Sequence, residues 1–307
     1  MSTSSPPETR RGVMFALACY GAWGLFPAFW KLVASVSPVE VLAHRVVWSL
    51  AAVLAMIAHQ GRWGELVGLL GSRRRLLVLA ASTVCISINW LIFIWAVGRG
   101  HVLESSMGYF LNPLVNVALG VLVLGERLRP LQWLAVGLAA AGVAELALAT
   151  GSPPWIALIL AVTFGIYGLL RKRLPVAPLT GLAVETGLLF PLAALYLLWL
   201  GVIDGAPAFG GGGQVAVALV AGGPVTALPL LWFAAAAARM RYSTLGFFQY
   251  LAPTGHFLLA VLAYGEVPGP HHLITFAAIW AGIAVYSIDG WLSYRAQAEA
   301  GPSNEAV

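Results

Sequence analysis

The sequence predicts an all-α membrane protein of ten transmembrane helices, built as two inverted five-helix repeats. Three observations carry this expectation. Of the 307 residues, 60% are hydrophobic and only 9% charged; soluble domains carry roughly 25% charged residues, so this chain cannot cover a water-facing surface. The apolar residues gather into ten runs, each close to the ~20 residues a helix needs to cross a bilayer core. Finally, Pro113, Glu126, Pro130 and Gly142 return 140 residues later as Pro253, Glu266, Pro270 and Gly282, and Pro38 and Arg99 return as Pro178 and Arg239. Gly24 and Lys31 match Gly165 and Lys172 one residue out of step. A duplicated, strongly apolar chain of this kind is an architecture of solute transporters.

Residues 1–11 are polar, include Pro6 and Pro7, and read as a disordered cytoplasmic N-terminus. The first repeat, 12–150, holds apolar runs at 12–32, 40–58, 76–97, 102–124 and 131–150. The second, 153–292, holds runs at 154–170, 178–200, 214–238, 243–264 and 271–292, and 293–307 form a cytoplasmic tail. Gly, Pro and charge fill the breaks: Ser37-Pro38, Arg73 to Arg75, Gly125-Glu126-Arg127, Ser152 to Pro154, Arg171-Lys172-Arg173 and Gly210 to Gly213. Ala16 to Cys19 faintly resembles a lipoprotein cleavage site. The apolar stretch ahead of it is too short for a signal core, and the run continues to Trp30, so it reads as the first span.

Ten spans put both termini on one side. Of 17 Lys and Arg, all except Lys31, Arg99 and the in-span Arg45 then fall on that side, which the positive-inside rule assigns to the cytoplasm. The net charge of +5 is thus a matter of orientation and implies no nucleic-acid partner. Five spans per repeat is an odd number, so the second copy enters upside down, and the basic residues agree: Arg99 and Lys31 lie outside, their mates Arg239 and Lys172 inside. Cys19 and Cys85 sit within apolar runs as small buried hydrophobes, with no metal-ligand pattern.

Polar groups are costly in lipid and face the bundle interior, so function is sought there. Tyr109, Asn112, Pro113 and Asn116 share one face of the fourth span, and the offset places Gln249, Ala252, Pro253 and His256 on the ninth. Pro113 and Pro253 are expected to break their helices at mid-span, freeing carbonyls toward a central polar cavity. Bonding between helices is the plainer role for Asn112, Asn116 and Gln249. Arg45 is the costliest residue, and its mate by the offset is Glu185. It either pairs with Glu185, meets an acidic group on a substrate, or snorkels to headgroups. His44, Glu185 and His256 are candidates for proton exchange. Asn89 and Trp90 add to the cavity. Glu104 and His101 belong at the outer mouth, Glu145 caps or pairs locally, and Glu126 and Glu266 serve helix ends.

No H-E-x-x-H, G-x-S-x-G, G-x-x-x-x-G-K-[ST] or dinucleotide fingerprint is present, so neither an enzyme nor a cofactor is expected. With no nucleotide loop, uphill transport has to draw on an ion gradient.

The chain resembles the EamA-type permeases of the drug/metabolite transporter superfamily, in the RarD group, over about residues 12–292. The residues that carry this are Ala43-His44-Arg45 through Trp48-Ser49, Asn89-Trp90 through Val97, Glu104 through Leu114, Leu124 through Leu128, and Gln249-Tyr250-Leu251-Ala252-Pro253. Gly98-Arg99-Gly100 departs from the Asn-rich turn usual in the group. The resemblance implies a cytoplasmic-membrane permease with its site between two EamA repeats, the first four helices of each lining it and the fifth packing outside. The expected function is movement of a small organic solute, drug or metabolite by alternating access, coupled to an ion or H+, in a monomer. Arg45, Asn89, Tyr109, Asn112, Asn116, Glu185, Gln249 and Tyr250 are the expected substrate residues. A membrane sensor or scaffold that keeps this fold without flux is the alternative.

Overall fold

The computed structural model describes residues 6–124, 128–151, 154–174, 176–203, 209, 212–237, 239 and 248–299, and every regular element among them is a helix. In chain order these are α1 (Pro6–Gly24), α2 (Phe26–Lys31), α3 (Pro38–His59), α4 (Trp63–Leu70), α5 (Arg73–Arg99), α6 (Val102–Leu124), α7 (Pro130–Thr150), α8 (Trp155–Arg173), α9 (Pro178–Ile203), α10 (Gly213–Ala237), α11 (Leu251–Leu258) and α12 (Pro270–Glu299). A five-residue π-helical stretch, Leu259–Ala263, continues α11.

Among the described residues, seven helices are long and apolar enough to cross a membrane: Arg10–Lys31, Pro38–His59, Arg73–Arg99, Pro130–Thr150, Pro178–Val202, Gly213–Phe233 and Pro270–Asp289. Trp155–Arg171 and Leu251–Ala263 are shorter apolar helices. The helix that contains the first, α8, is 19 residues long, and the second follows a turn at residues 249 and 250. The 23-residue α6 has the length to span, although several of its side chains lie outside the described set.

The first apolar run holds two helices. Pro27 sits in the first turn of α2 and has no N–H for the Trp23 carbonyl four residues back. The backbone tightens instead, with the Ala28 amide bonding to Leu25 O at 3.0 Å. At the other end, α1 starts at Pro6, within the segment expected to be disordered, because proline is tolerated in a first helical turn. α12 likewise continues to Glu299, past the expected end at 292.

Other boundaries follow local chemistry. Ser37 caps α3, its hydroxyl accepting from the Glu40 amide at 3.2 Å, and Pro38 follows at the first helical position. α5 ends at Gly100, whose φ of +81° suits a residue without Cβ, and the His101 amide bonds back to Ala96 O at 2.8 Å. α6 continues through Pro113, correcting the expected break there: one missing amide removes one bond, and the neighbouring turns hold the helix. Pro253 lies in the first turn of α11, where no intrahelical donor is lost; the irregularity on this segment is the turn at 249–250.

The chain forms two compact units, each drawing on both halves of the sequence. The larger contains α1 to α5, the start of α6, and α8 to α11; the smaller contains the rest of α6, α7 and α12. In the larger, Gly24 on α1 lies 3.5 Å, by its would-be Cβ, from the Gly255 Cα on α11, so two glycines set a close helix approach. Gly108 lets α6 approach α8 in the same way, a Cβ there meeting Ala157 O at 2.9 Å.

In the smaller unit α7 and α12 cross through Gly142 and Gly282. A Cβ on Gly142 would meet the Thr275 Cα at 3.3 Å, and one on Gly282 would meet Ala135 O at 2.7 Å. Thr275 also donates to Gly142 O at 2.9 Å. Gly282→Val is therefore expected to destabilise the protein by about 2 kcal/mol through overpacking. Thermal unfolding in detergent reads this directly, and an unchanged midpoint would mean that the crossing yields freely.

Candidate functional site

Within the larger unit, α3, α5, α6, α8 and α11 bring polar and aromatic side chains into one buried cluster. The core of it is Asn89 on α5, 1% exposed. Its amide nitrogen donates to Leu160 O at 2.9 Å and to Thr163 Oγ1 at 3.1 Å on α8, and its carbonyl oxygen accepts from the Tyr109 hydroxyl at 3.0 Å on α6. Every hydrogen-bonding atom of the carboxamide that faces a partner is thus used to tie three helices together. Phe164 packs edge-on to Tyr109, with ring centroids 6.2 Å apart.

His256 on α11 closes the next layer. It stacks on Phe93 at 5.4 Å and meets Tyr109 edge-on at 5.5 Å. Its Nε2 lies 2.8 Å from Trp23 O, the carbonyl that Pro27 leaves without a helical donor. A carbonyl only accepts, so Nε2 carries the hydrogen and Nδ1 presents a lone pair. Nδ1 is buried and has no partner among the described residues.

Arg45 on α3 is 3% exposed and faces rings. Its guanidinium carbon lies 4.0 Å from the Trp90 ring centroid, 4.9 Å from Trp30 and 5.9 Å from Phe26. Its Nε and Nη1 are buried without a hydrogen-bond partner. The expected pair with Glu185 does not form. Glu185 on α9, 2% exposed, accepts from the Ser82 hydroxyl on α5 at 2.7 Å and sits 3.9 Å from Arg171 Nη1 on α8, with Tyr167 beside it. Gly181 makes room for that cation: a Cβ there would overlap the Arg171 guanidinium.

The remaining expected residues divide as follows. Asn112, 1% exposed, stands one turn beyond Tyr109 on α6 with its Oδ1 unpartnered. Tyr250 is half-buried and stacks on Phe110 at 6.4 Å, while Gln249 is half-buried in the turn before α11. His44 is drawn elsewhere, its Nδ1 accepting from Trp48 Nε1 at 3.3 Å and its ring tilted against Phe209. The side chains of Asn116 and Pro113 lie outside the described residues, as does Glu126.

Several acidic residues take local roles. Glu266 caps α6, accepting from the Val102 and Leu103 amides at 2.9 and 2.8 Å. Glu145 bonds His271 at 2.6 Å, and Glu104 bonds His101 at 3.1 Å.

Trp30, Phe26, Ser82, Thr163 and Arg171 belong to these constellations and were missed from sequence. Two signals were present: Ser82, Asn89 and Phe93 repeat at helical spacing along α5, and Arg171 stands 140 residues after Lys31. A separate groove of about 540 Å³, lined by Trp48, Phe209, Val217 and Val220 among others, is almost wholly apolar and contains none of the cluster.

The chain is similar to known proteins over most of its length. Residues 10–148 match the model of the EamA-like transporter family. An uncharacterized transporter of Pseudomonas aeruginosa is 49% identical over 93% of this chain and 96% of its own length. Protein RarD of Escherichia coli is 47% identical over 94% of this chain and 97% of its own. One solved crystal structure has a TM-score of 0.57 at 22% identity, covering 90% of this chain and 96% of that one, a likeness of fold.

Proposed function

This chain belongs to the EamA-like transporter family, in the company of the RarD proteins, and from that premise we propose that it is a secondary permease. It moves a small organic solute across the cytoplasmic membrane by alternating access, coupled to an ion or proton gradient. The observation that carries this reading is the polar Asn89–Tyr109–His256–Arg45 cluster, in which Asn89, His256 and Arg45 are almost fully buried and Asn89 and Arg45 lie on helices long and apolar enough to span a bilayer.

We further propose ten spans with both termini cytoplasmic, arranged as inverted repeats over 12–150 and 153–292. The α7–α12 crossing supports this: Gly142 meets Thr275, Gly282 meets Ala135, and both pairs map onto each other through the 140-residue offset. A contact that is its own image under exchange of the repeats is what a pseudo-two-fold axis generates. Arg45, Asn89, Tyr109 and Asn112 contact the solute at the midplane, with Asn116, Gln249 and Tyr250 along the path. Glu185 is the proton-coupling group, His44 and His256 being secondary candidates. Its proton controls the hold on Arg171, because a neutral carboxyl no longer attracts the guanidinium. One chain holds both repeats, so a monomer suffices.

Counterflow in proteoliposomes tests the reading. Purified protein should catalyse exchange of at least one radiolabelled solute from a panel of organic acids, amines and neutral drugs, and a pH gradient should drive its accumulation. Exchange no faster than in protein-free vesicles for every member would instead favour a sensor or scaffold.

A further inference from the structure

We infer that the solute is an organic monoanion whose carboxylate is held by the Arg45 guanidinium. This rests on the permease reading and deepens it by naming the charge class. Arg45 is 3% exposed on a helix long and apolar enough to span the membrane, and its Nε and Nη1 donate to nothing. A buried guanidinium left this way costs several kcal/mol. The Trp90, Trp30 and Phe26 rings return only part of that, about 0.5–2 kcal/mol for each well-placed cation–π contact.

Among the described residues no carboxylate makes up the difference. Glu185 is engaged by Ser82 and Arg171. Glu40 lies on the same helix, in its first turn, and makes no ion pair with Arg45. The rings face the guanidinium while its Nε and Nη1 donors, which lie on different edges, stay open. Each can donate to a carboxylate oxygen, and a charge-assisted bond of that kind is stronger than one to a neutral acceptor.

The rest of the cluster limits the ligand further. Among the described residues Arg45 is the one Lys or Arg in it, so a second negative charge on the ligand would go uncompensated. Phe93, Tyr109 and Phe164, packed on one another, make the surroundings aromatic. Asn112 Oδ1 and His256 Nδ1 are buried, unpartnered acceptors, fit to receive a hydroxyl or N–H hydrogen from the same molecule. The ligand this describes has one carboxylate, a compact apolar or aromatic body, and room for one hydrogen-bond donor.

Matched probes separate charge from shape. Phenylacetate, phenylacetamide and phenethylamine, with benzoate and benzamide, are titrated against the full-length protein in detergent. Binding is read as a rise in the unfolding midpoint and as a change in tryptophan fluorescence, since Trp90 and Trp30 border the site. The acids should bind at least about tenfold more tightly than their amides, and the amine should not bind. Arg45→Gln should abolish the preference, while Arg45→Lys should keep a weakened one. The acid-to-amide comparison in the unmodified protein needs no variant to fold. Equal binding of acid and amide, acid binding that survives Arg45→Gln, or no response to either carboxylate would each overturn the inference. Exchange of a neutral or cationic solute in the counterflow experiment would overturn it too, yet leave the permease reading intact.

Discussion

Glu185→Gln is expected to preserve solute exchange and abolish accumulation driven by a pH gradient. Glutamine is nearly isosteric and still accepts from Ser82, which lies 2.7 Å from the carboxylate, but it can neither bind nor release a proton. With one proton moved per solute, a gradient of one pH unit supports about tenfold accumulation; the variant should show none. Uptake into proteoliposomes with an imposed gradient, measured beside counterflow, separates the two properties. Accumulation that persists would move the coupling role to His44 or His256.

Glu185→Ala should behave differently. It strands Arg171, whose side chain is only 16% exposed, and removing one member of a buried pair costs about 3 kcal/mol. The double variant Arg171→Met, Glu185→Met should recover most of that stability, because it removes both charges together. It should still accumulate nothing. A thermal midpoint for Glu185→Ala equal to that of the unmodified protein would show that the pair contributes little to folding.

The second large effect is expected at Asn89. Asn89→Leu removes the acceptor of the Tyr109 hydroxyl and two donors to α8. The stranded hydroxyl alone costs about 1–3 kcal/mol in a buried setting, and the loss of the ties to α8 brings the total to about 3 kcal/mol. Transport should fall by more than about tenfold, since nothing then fixes Tyr109 beside His256. Tyr109→Phe removes one of the bonds and should cost about 1 kcal/mol. If the two residues act through their shared bond, the double variant is scarcely less stable than Asn89→Leu. Additive losses would mean that each residue acts through separate contacts.

These expectations depend on features the sequence disclosed unevenly. Hydropathy located helix within each of the ten apolar runs, because apolar length is written in the residues themselves. It did not reveal the interruption in the first run, since Pro27 is a single residue in an unbroken apolar stretch. Asn89 and Tyr109 stood out as polar groups in lipid, but their bond depends on how α5 and α6 are rotated, which no local pattern states. The constant offset paired positions 45 and 185, yet a shared spacing in sequence does not say which way two side chains face. Arg45 turns instead toward aromatic rings on α2 and α5, and Glu185 toward α5 and α8. Arg171 was concealed by its neighbours: three basic residues in a row read as a loop, whereas they form the last turn of α8.

The proline at position 27 also has a reach far beyond its own helix. By withholding one amide it leaves the Trp23 carbonyl to His256, which thereby receives a fixed handedness of proton: hydrogen outward on Nε2, lone pair inward on Nδ1. The imidazole is set as a listener, able to accept from whatever enters but not to donate to it. The backbone at 27 and the side chain at 256 thus act together. A residue with an amide at 27 would satisfy Trp23 locally, free the ring to flip, and lose the polarity of that acceptor without any change at the histidine itself.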